Sequence, residues 1–294
     1  MALSFDQRDG FIWMNGALVP WGEATLHVLS HGLHYASTVF EGERAYGGEI
    51  FKSTEHSARF RKSAELLDFE IPYSVAELDA AKRLVVHTNG LKNCYVRPVA
   101  WRGSEMMAVA AQNATINVAI ASWDWPSMFD PLERMKGIKL DIADYRRPDP
   151  MTAPCDSKAA GLYMICTISK HRAERKGCAD ALMLDWQGRV AECTGANVFF
   201  VKAGVLHTPI ADCFLDGITR RTVIELARRR GLAVVERRIM PDELPSFSEC
   251  FLTGTGAEVT PVAEIGPHRF TPGAISRQLI DDYTAEVTPK AKAA

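Results

Sequence analysis

Between about Trp123 and Gly137 the chain loses any hydrophobic period and carries two prolines, Pro126 and Pro131. A stretch without period and with proline breaks builds neither a helix nor a strand, so it reads as a connection between two folded parts. The length agrees, because 294 residues exceed what one minimal core needs. The expected boundaries are residues 1–122 for a small N-terminal α/β domain, 123–137 for the linker and 138–294 for a larger C-terminal domain.

Each part carries its own local signals. Ile12-Trp13-Met14 and Ala17-Leu18-Val19 flank Asn15-Gly16, a strong hairpin signal because the tight turn needs positive φ at both central residues. A helix is predicted over about Glu55–Leu67, where Phe60, Ala64 and Leu67 recur at i, i+4 and i+7, with Arg59 in its first turn. Ser74-Val75-Ala76-Glu77 is a capping-box pattern that opens a second helix, stopped at Gly90. Strands follow near Tyr95–Trp101 and Thr115–Ala121, which makes this part α+β with mostly antiparallel pairing. After the break, a strand covers Ile138–Asp144, prolines at 148, 150 and 154 mark an irregular segment, and a helix spans about Ala160–Lys176. Hairpins turn at Gln187-Gly188 and Ala203-Gly204. Thr219 is expected to cap a helix of about Arg220–Arg230 that ends at Gly231. The end, Pro289–Ala294, reads as frayed.

Composition narrows the class of function. Apolar residues make up 47% and charged residues 24%, and the formal charge of −2 offers no field for a polyanion. Nucleic acid is therefore not an expected partner, and Arg228-Arg229-Arg230 reads as the solvated end of a helix. Seven cysteines are scattered without a Cys-x-x-Cys pair, which argues against a disulfide framework or a zinc site and for a reducing compartment. No metal is expected, and Cys193 reads as a small buried filler. The first residues include acidic side chains and no apolar core of a signal peptide, and no apolar run approaches the ~20 residues of a membrane span. A cytoplasmic location, with no membrane partner, is expected.

Four segments carry chemistry: Ser157-Lys158-Ala159-Ala160-Gly161-Leu162-Tyr163, Ala191-Glu192-Cys193-Thr194-Gly195-Ala196-Asn197, Leu215-Asp216-Gly217-Ile218-Thr219 and Leu252-Thr253-Gly254-Thr255-Gly256-Ala257. A lysine, a carboxylate after a strand and two Gly/Thr-rich turns are what holding pyridoxal 5′-phosphate requires. The lysine supplies a nucleophilic amine when burial or a nearby cation lowers its pKa. The carboxylate keeps the pyridine nitrogen protonated, and the turns supply N–H and hydroxyl donors for the phosphate.

The order and spacing of these segments resemble the fold-type IV pyridoxal-phosphate enzymes and, within them, the branched-chain amino acid aminotransferases. His34-Tyr35-Ala36-Ser37-Thr38-Val39-Phe40-Glu41-Gly42-Glu43-Arg44 and Tyr95-Val96-Arg97-Pro98 resemble that group's N-terminal motifs, so the likeness runs from about residue 30 to 262. It implies a small α/β domain and a larger domain with a pseudo-barrel β core, with the cofactor between them, in a homodimer or higher homo-oligomer. It implies that Lys158 bonds to the cofactor and moves the proton, and that Glu192 meets the pyridine nitrogen. By the same likeness Tyr163 meets the phenolate oxygen, while Ile218, Thr219, Thr255 and Arg59 cradle the phosphate; Asn197 follows Glu192 in the cofactor-binding set. Substrates would be branched-chain L-amino acids and 2-oxoglutarate, exchanged by a ping-pong route. Phe40, Tyr35, Tyr163 and Val109 would form apolar walls. Arg97, with Tyr35, would take glutamate's γ-carboxylate, and Tyr95 with Gly256-Ala257 the α-carboxylate. Met106-Met107 lie on a loop that in this family reaches a neighbouring subunit's site.

Departures from the pattern touch the side-chain pocket. Glu43 stands at a place that is usually apolar, Ala196 replaces a common glutamate and Gly256 a common alanine. The aromatic segment Trp123–Phe129 does not align with the usual tyrosine-bearing linker. Rivals on the same fold are D-amino acid aminotransferase, (R)-selective amine transaminase and aminodeoxychorismate lyase. Rivals of another class are a cofactor-free lysine lyase and a non-catalytic binding protein, neither of which needs Glu192.

Overall fold

The computed structural model describes residues 4–125 and 134–289, which form two compact units. The first unit runs through Pro126 and takes in Ser157–Gly161. Its seven-stranded antiparallel sheet contains β1 (Phe11–Met14), β2 (Ala17–Pro20), β3 (Thr38–Phe40), β4 (Glu43–Tyr46), β5 (Glu49–Ile50), β6 (Cys94–Arg102) and β7 (Ile116–Asp124). The order is β2-β1-β7-β6-β4-β5, with β3 also on β6. Asn15 and Gly16 both take positive φ in the turn between β1 and β2, as their sequence predicts. A short helix, α1 (His31–Tyr35), precedes the two longer ones, α2 (Ser53–Glu65) and α3 (Val75–Thr88). The capping box at Ser74 and Glu77 forms as expected.

Strand periodicity decides which side chains reach solvent in this unit. Cys94, Val96 and Ala100 of β6 are buried with Phe60 of α2 and Leu78 and Val85 of α3. The alternate residues Tyr95, Arg97 and Val99 are only half-buried, because successive side chains point to opposite faces.

The second unit covers Leu162–Thr288 together with the segment ending at Asp156. Its nine-stranded sheet is built from β8 (Ile138–Ile142), β9 (Asp180–Leu184), β10 (Val190–Cys193), β11 (Asn197–Lys202), β12 (Val205–Thr208), β13 (Val234–Glu236), β14 (Glu249–Gly254), β15 (Glu258–Ile265) and β16 (His268–Arg269). The order is β10-β9-β8-β15-β14-β11-β12-β13, with β16 on β15. The pairs β8/β9, β8/β15 and β12/β13 are parallel and the others antiparallel. Among the described residues, the helices α4 (Met164–Arg175), α5 (Ile218–Arg229) and α6 (Ala274–Val287) accompany this sheet. Leu182, Val198, Phe200, Leu252 and Val262 form its core.

Four expectations change. Trp123 and Asp124 belong to β7, paired with Tyr95 and Cys94, because ladder bonding to β6 overrides their irregular pattern; residues 126–133 of the expected linker lie outside the described residues, as do 290–294 of the expected frayed end. Arg59 lies in the second turn of α2, which starts earlier than its apolar repeat. The predicted helix from Ala160 is a 3₁₀ turn, Ala160–Tyr163, before α4 begins. The residue capping α5 is Gly217, and Thr219 sits inside the first turn. All seven cysteines are free, and Cys193 is buried as a filler. Among the described residues no helix is long and apolar enough to cross a membrane.

Candidate active site

Lys158 is pinned by its neighbours in the first unit. Its backbone N–H donates to Ser63 Oγ on α2 at 3.0 Å, and its carbonyl accepts from the Phe40 N–H at 3.2 Å. Ser157 Oγ donates to the Ser63 carbonyl at 2.8 Å, and Ala159 bridges Val39 of β3. Three hydrogen bonds and one β-bridge thus fix the backbone around Lys158. The ammonium lies 5.1 Å from the centre of the Phe40 ring.

Arg97 also lies against that ring, with its guanidinium carbon 4.7 Å from the centre, and its Nη2 donates to Tyr95 Oη at 3.3 Å. Its buried Nε has no hydrogen-bond acceptor among the described residues. A buried guanidinium N–H without a partner is costly, so it suits an incoming anion. Arg97 and Val99 stand opposite Ala121 and Ala119 on β7. These small neighbours leave a cavity of about 550 Å³, lined mainly by apolar side chains such as Met14, Leu33 and Val99, with Arg97 in its wall. Tyr95 is held between Trp123 and Trp125, at ring distances of 5.1 and 5.3 Å. A Cβ on Gly42 would lie 2.0 Å from Tyr95 Oη, so glycine is required there for the hydroxyl to keep its place. Tyr35, 45% exposed, stacks on His31, and Val109 is 84% exposed. Neither is packed into an apolar wall within this chain.

Arg59 faces an anion that sequence reasoning named only as part of a motif. Glu41 is fully buried and accepts from Arg59 Nε at 2.7 Å, from Arg59 Nη2 at 2.8 Å and from His56 Nδ1 at 2.7 Å. Beside this cluster, Lys82 Nζ donates to both oxygens of Glu43, at 2.8 and 3.1 Å, and Asp79 accepts from Ser53, Thr54 and Ser57. The polar Glu43 at a place expected to be apolar is thus balanced by a buried lysine from α3. Burial, with Glu41 and Asp79 nearby, still pushes Glu43 up to about 8.

Burial alone would raise the carboxyls of Glu41 and Asp79, but their partners outweigh it. Arg59 and His56 hold Glu41 well below the ordinary carboxylate range. Hydrogen bonds from Ser57 and Thr54, with the Lys82 charge, bring Asp79 to about 2. A depressed pKa in the folded state contributes stability above the unfolded value and loses it as pH falls. The melting temperature is therefore expected to drop as pH is lowered from about 4.5 towards 2. Asp79→Asn should lower the plateau and flatten that acid slope; thermal melts across this range check it.

The second unit carries the other predicted residues. Glu192, on β10, is 12% exposed, and its Oε1 lies 3.4 Å from Arg147 Nε. Its Oε2 accepts from Asn197 Nδ2 at 3.2 Å, and the same Nδ2 donates to the Leu215 carbonyl at 3.1 Å. A Cβ on Gly217 would lie 2.2 Å from Asn197 Oδ1, so only glycine lets the chain pass into α5 so close to that amide. Asn197 therefore ties the carboxylate to the start of α5. The first turn of α5, with Ile218 and Thr219, has no side-chain cap, which leaves its N–H groups and dipole for an anion. Thr255, Gly256 and Ala257 form the turn between β14 and β15, and Tyr163 is half-buried at the start of α4. Arg147, which sequence reasoning passed over in a proline-rich segment, is 4% exposed. Its signal was weak: one of two adjacent arginines before a proline.

A family model described as amino-transferase class IV matches residues 38–265. The chain belongs to this family. The aminotransferase is 46% identical over 263 residues to a probable branched-chain-amino-acid aminotransferase of Rickettsia conorii, covering 90% of this chain and 89% of the relative. The solved T.th. branched-chain amino acid aminotransferase with pyridoxamine 5′-phosphate has a TM-score of 0.93 and 39% identity, covering 96% of this chain and 95% of that one. The same T.th. enzyme complexed with N-(5′-phosphopyridoxyl)-L-glutamate has a TM-score of 0.90 at 39% identity, covering 95% of each chain. The aminotransferase has the fold-type IV architecture, and its cofactor is pyridoxal 5′-phosphate. The chemistry of its residues is compatible with that group: a half-buried carboxylate paired with Arg147, an uncapped helix start and a lysine with an anchored backbone.

Proposed function

We propose that this aminotransferase exchanges amino groups between branched-chain L-amino acids and 2-oxoglutarate, with L-glutamate as the product of the second half. The observation that carries this reading is Arg97, with an unpaired buried Nε, set in the wall of an otherwise apolar cavity. Such a wall accepts a leucine, isoleucine or valine side chain and offers one cation to a γ-carboxylate. The relatives' names and the glutamate adduct bound by one of them support the same pair of substrates.

Bound cofactor supplies an electron-withdrawing ring that stabilises negative charge at the substrate's Cα. Lys158 would provide the amine that holds its aldehyde carbon and, as a free amine, would carry the proton from the substrate's Cα, acting as base and then acid. Glu192 keeps the ring nitrogen protonated, and Tyr163 hydrogen-bonds the phenolate oxygen. Ile218, Thr219, Thr255 and Arg59 hold the phosphate, with Glu41 fixing the Arg59 guanidinium. Tyr95, Gly256 and Ala257 bind the α-carboxylate, while Phe40 walls the side-chain site. Tyr35 and Val109, exposed together with Met106 and Met107, contribute from one subunit of a homodimer to its neighbour. The seven unpaired cysteines support a reducing, cytoplasmic setting.

Arg97→Ala is expected to separate the half-reactions. Loss of a charged contact made only by the γ-carboxylate should cost roughly 2–5 kcal/mol with glutamate or 2-oxoglutarate. L-Leucine, which has no charge to meet, should lose far less. Single-turnover spectra with each amino acid alone measure both halves, and equal losses would instead assign Arg97 to the α-carboxylate or to support of β6.

A further inference from the structure

We propose that Arg147 is a positioning residue for the cofactor: it keeps Glu192 a carboxylate and fixes the direction in which that carboxylate points. This rests on the assignment of Glu192 to the ring nitrogen. Arg147 is almost wholly buried, and its main chain is held by an N–H bond to the Leu184 carbonyl at 2.7 Å and a bridge to Asp185. The guanidinium thus enters the interior from a fixed base. Its Nη1 donates to Cys166 Sγ at 3.5 Å, and its Nε lies 3.4 Å from Glu192 Oε1 as an ion pair without hydrogen-bond alignment. Asn197 holds the other Glu192 oxygen. The carboxylate is therefore gripped at both oxygens, by a cation on one side and an amide on the other.

The thiols around this pair do not replace that cation. Cys155, Cys166, Cys193 and Cys213 all have thiols raised by burial, so they stay neutral, and Tyr163 acts on Arg147 from the start of α4. A guanidinium remains charged at any working pH, whereas a half-buried carboxyl without one is pushed towards its neutral form. A neutral Glu192 can neither hold the ring nitrogen's proton by charge nor choose a single orientation. Burying a guanidinium beside a thiol and a carboxylate is expensive for folding alone, which is consistent with a role in the site.

The test uses the full-length enzyme in its pyridoxamine 5′-phosphate form, which needs no bond to Lys158. Equilibrium dialysis measures the Kd for pyridoxamine 5′-phosphate between about pH 6 and 9, beside thermal melts. Arg147→Met is expected to weaken binding about tenfold at the acid end, with the defect shrinking as rising pH ionises Glu192. Arg147→Lys should keep the wild-type pH profile even if it melts earlier, and Arg147→Gln supplies a second neutral side chain if Arg147→Met does not fold. A neutral variant that melts earlier but keeps the wild-type Kd and pH profile overturns the proposal and leaves Arg147 a structural residue. Glu192→Gln separates the two readings. Weak, pH-independent binding in that variant upholds the role of Glu192 whatever Arg147 does, whereas wild-type binding removes that role and the proposal with it.

Discussion

Replacement of Lys158 by alanine is expected to abolish transamination together with the visible absorbance of the lysine-bound cofactor. The lysine has two tasks, to hold the aldehyde carbon and to carry the proton from Cα, and alanine can do neither. Its backbone anchors, the Ser63 hydroxyl and the Phe40 N–H, engage main-chain atoms that alanine retains. The fold should therefore survive the change, and circular dichroism with a thermal melt checks this. Loss of a group that acts as nucleophile and as general base commonly removes about 10⁴-fold or more of the rate. Retention of more than a trace of turnover would remove Lys158 from the chemistry.

Glu192→Gln is expected to bind the cofactor more weakly and, measured with cofactor at saturation, to slow proton transfer at least a thousandfold, about 4 kcal/mol. Glutamine preserves the size of the side chain, and its amide oxygen can still accept from Asn197. The negative charge is lost, so nothing on β10 keeps the ring nitrogen protonated. Arg147 then stands buried opposite a neutral amide, which favours an unprotonated ring nitrogen further. Single-turnover kinetics with L-leucine, followed beside the bound-cofactor spectrum, measures the effect. A kcat within a factor of about three of wild type rules out Glu192 as the partner of that nitrogen.

Much of the architecture follows from short-range rules. The Asn15-Gly16 turn, the Ser74/Glu77 capping box and the turns at Gln187-Gly188 and Ala203-Gly204 form where local backbone chemistry places them. The residue types that bond a cofactor, together with their order, also stand in the sequence: Lys158, then Glu192, then the turns after Leu215 and Leu252. Hydrophobic period misjudges the ends of elements, because an end is set by partners outside the segment. Trp123 and Asp124 are strand residues because β6 offers a ladder, and the residue that caps α5, Gly217, is glycine because Asn197 leaves room for nothing larger.

What the sequence by itself determined is the identity of the reactive groups and the local turns, because covalent order and backbone preference act over a few residues. Only the tertiary structure decided the environments that give those groups their charge and direction. Glu41 meets Arg59 and His56 from 18 and 15 residues away. Glu43 meets Lys82 across 39, and Ser63 reaches Lys158 across 95. Arg147 reaches Glu192 from a segment with no period at all. Burial and Coulombic attraction depend on distance in space and on the surrounding dielectric, and neither can be read from separation along the chain.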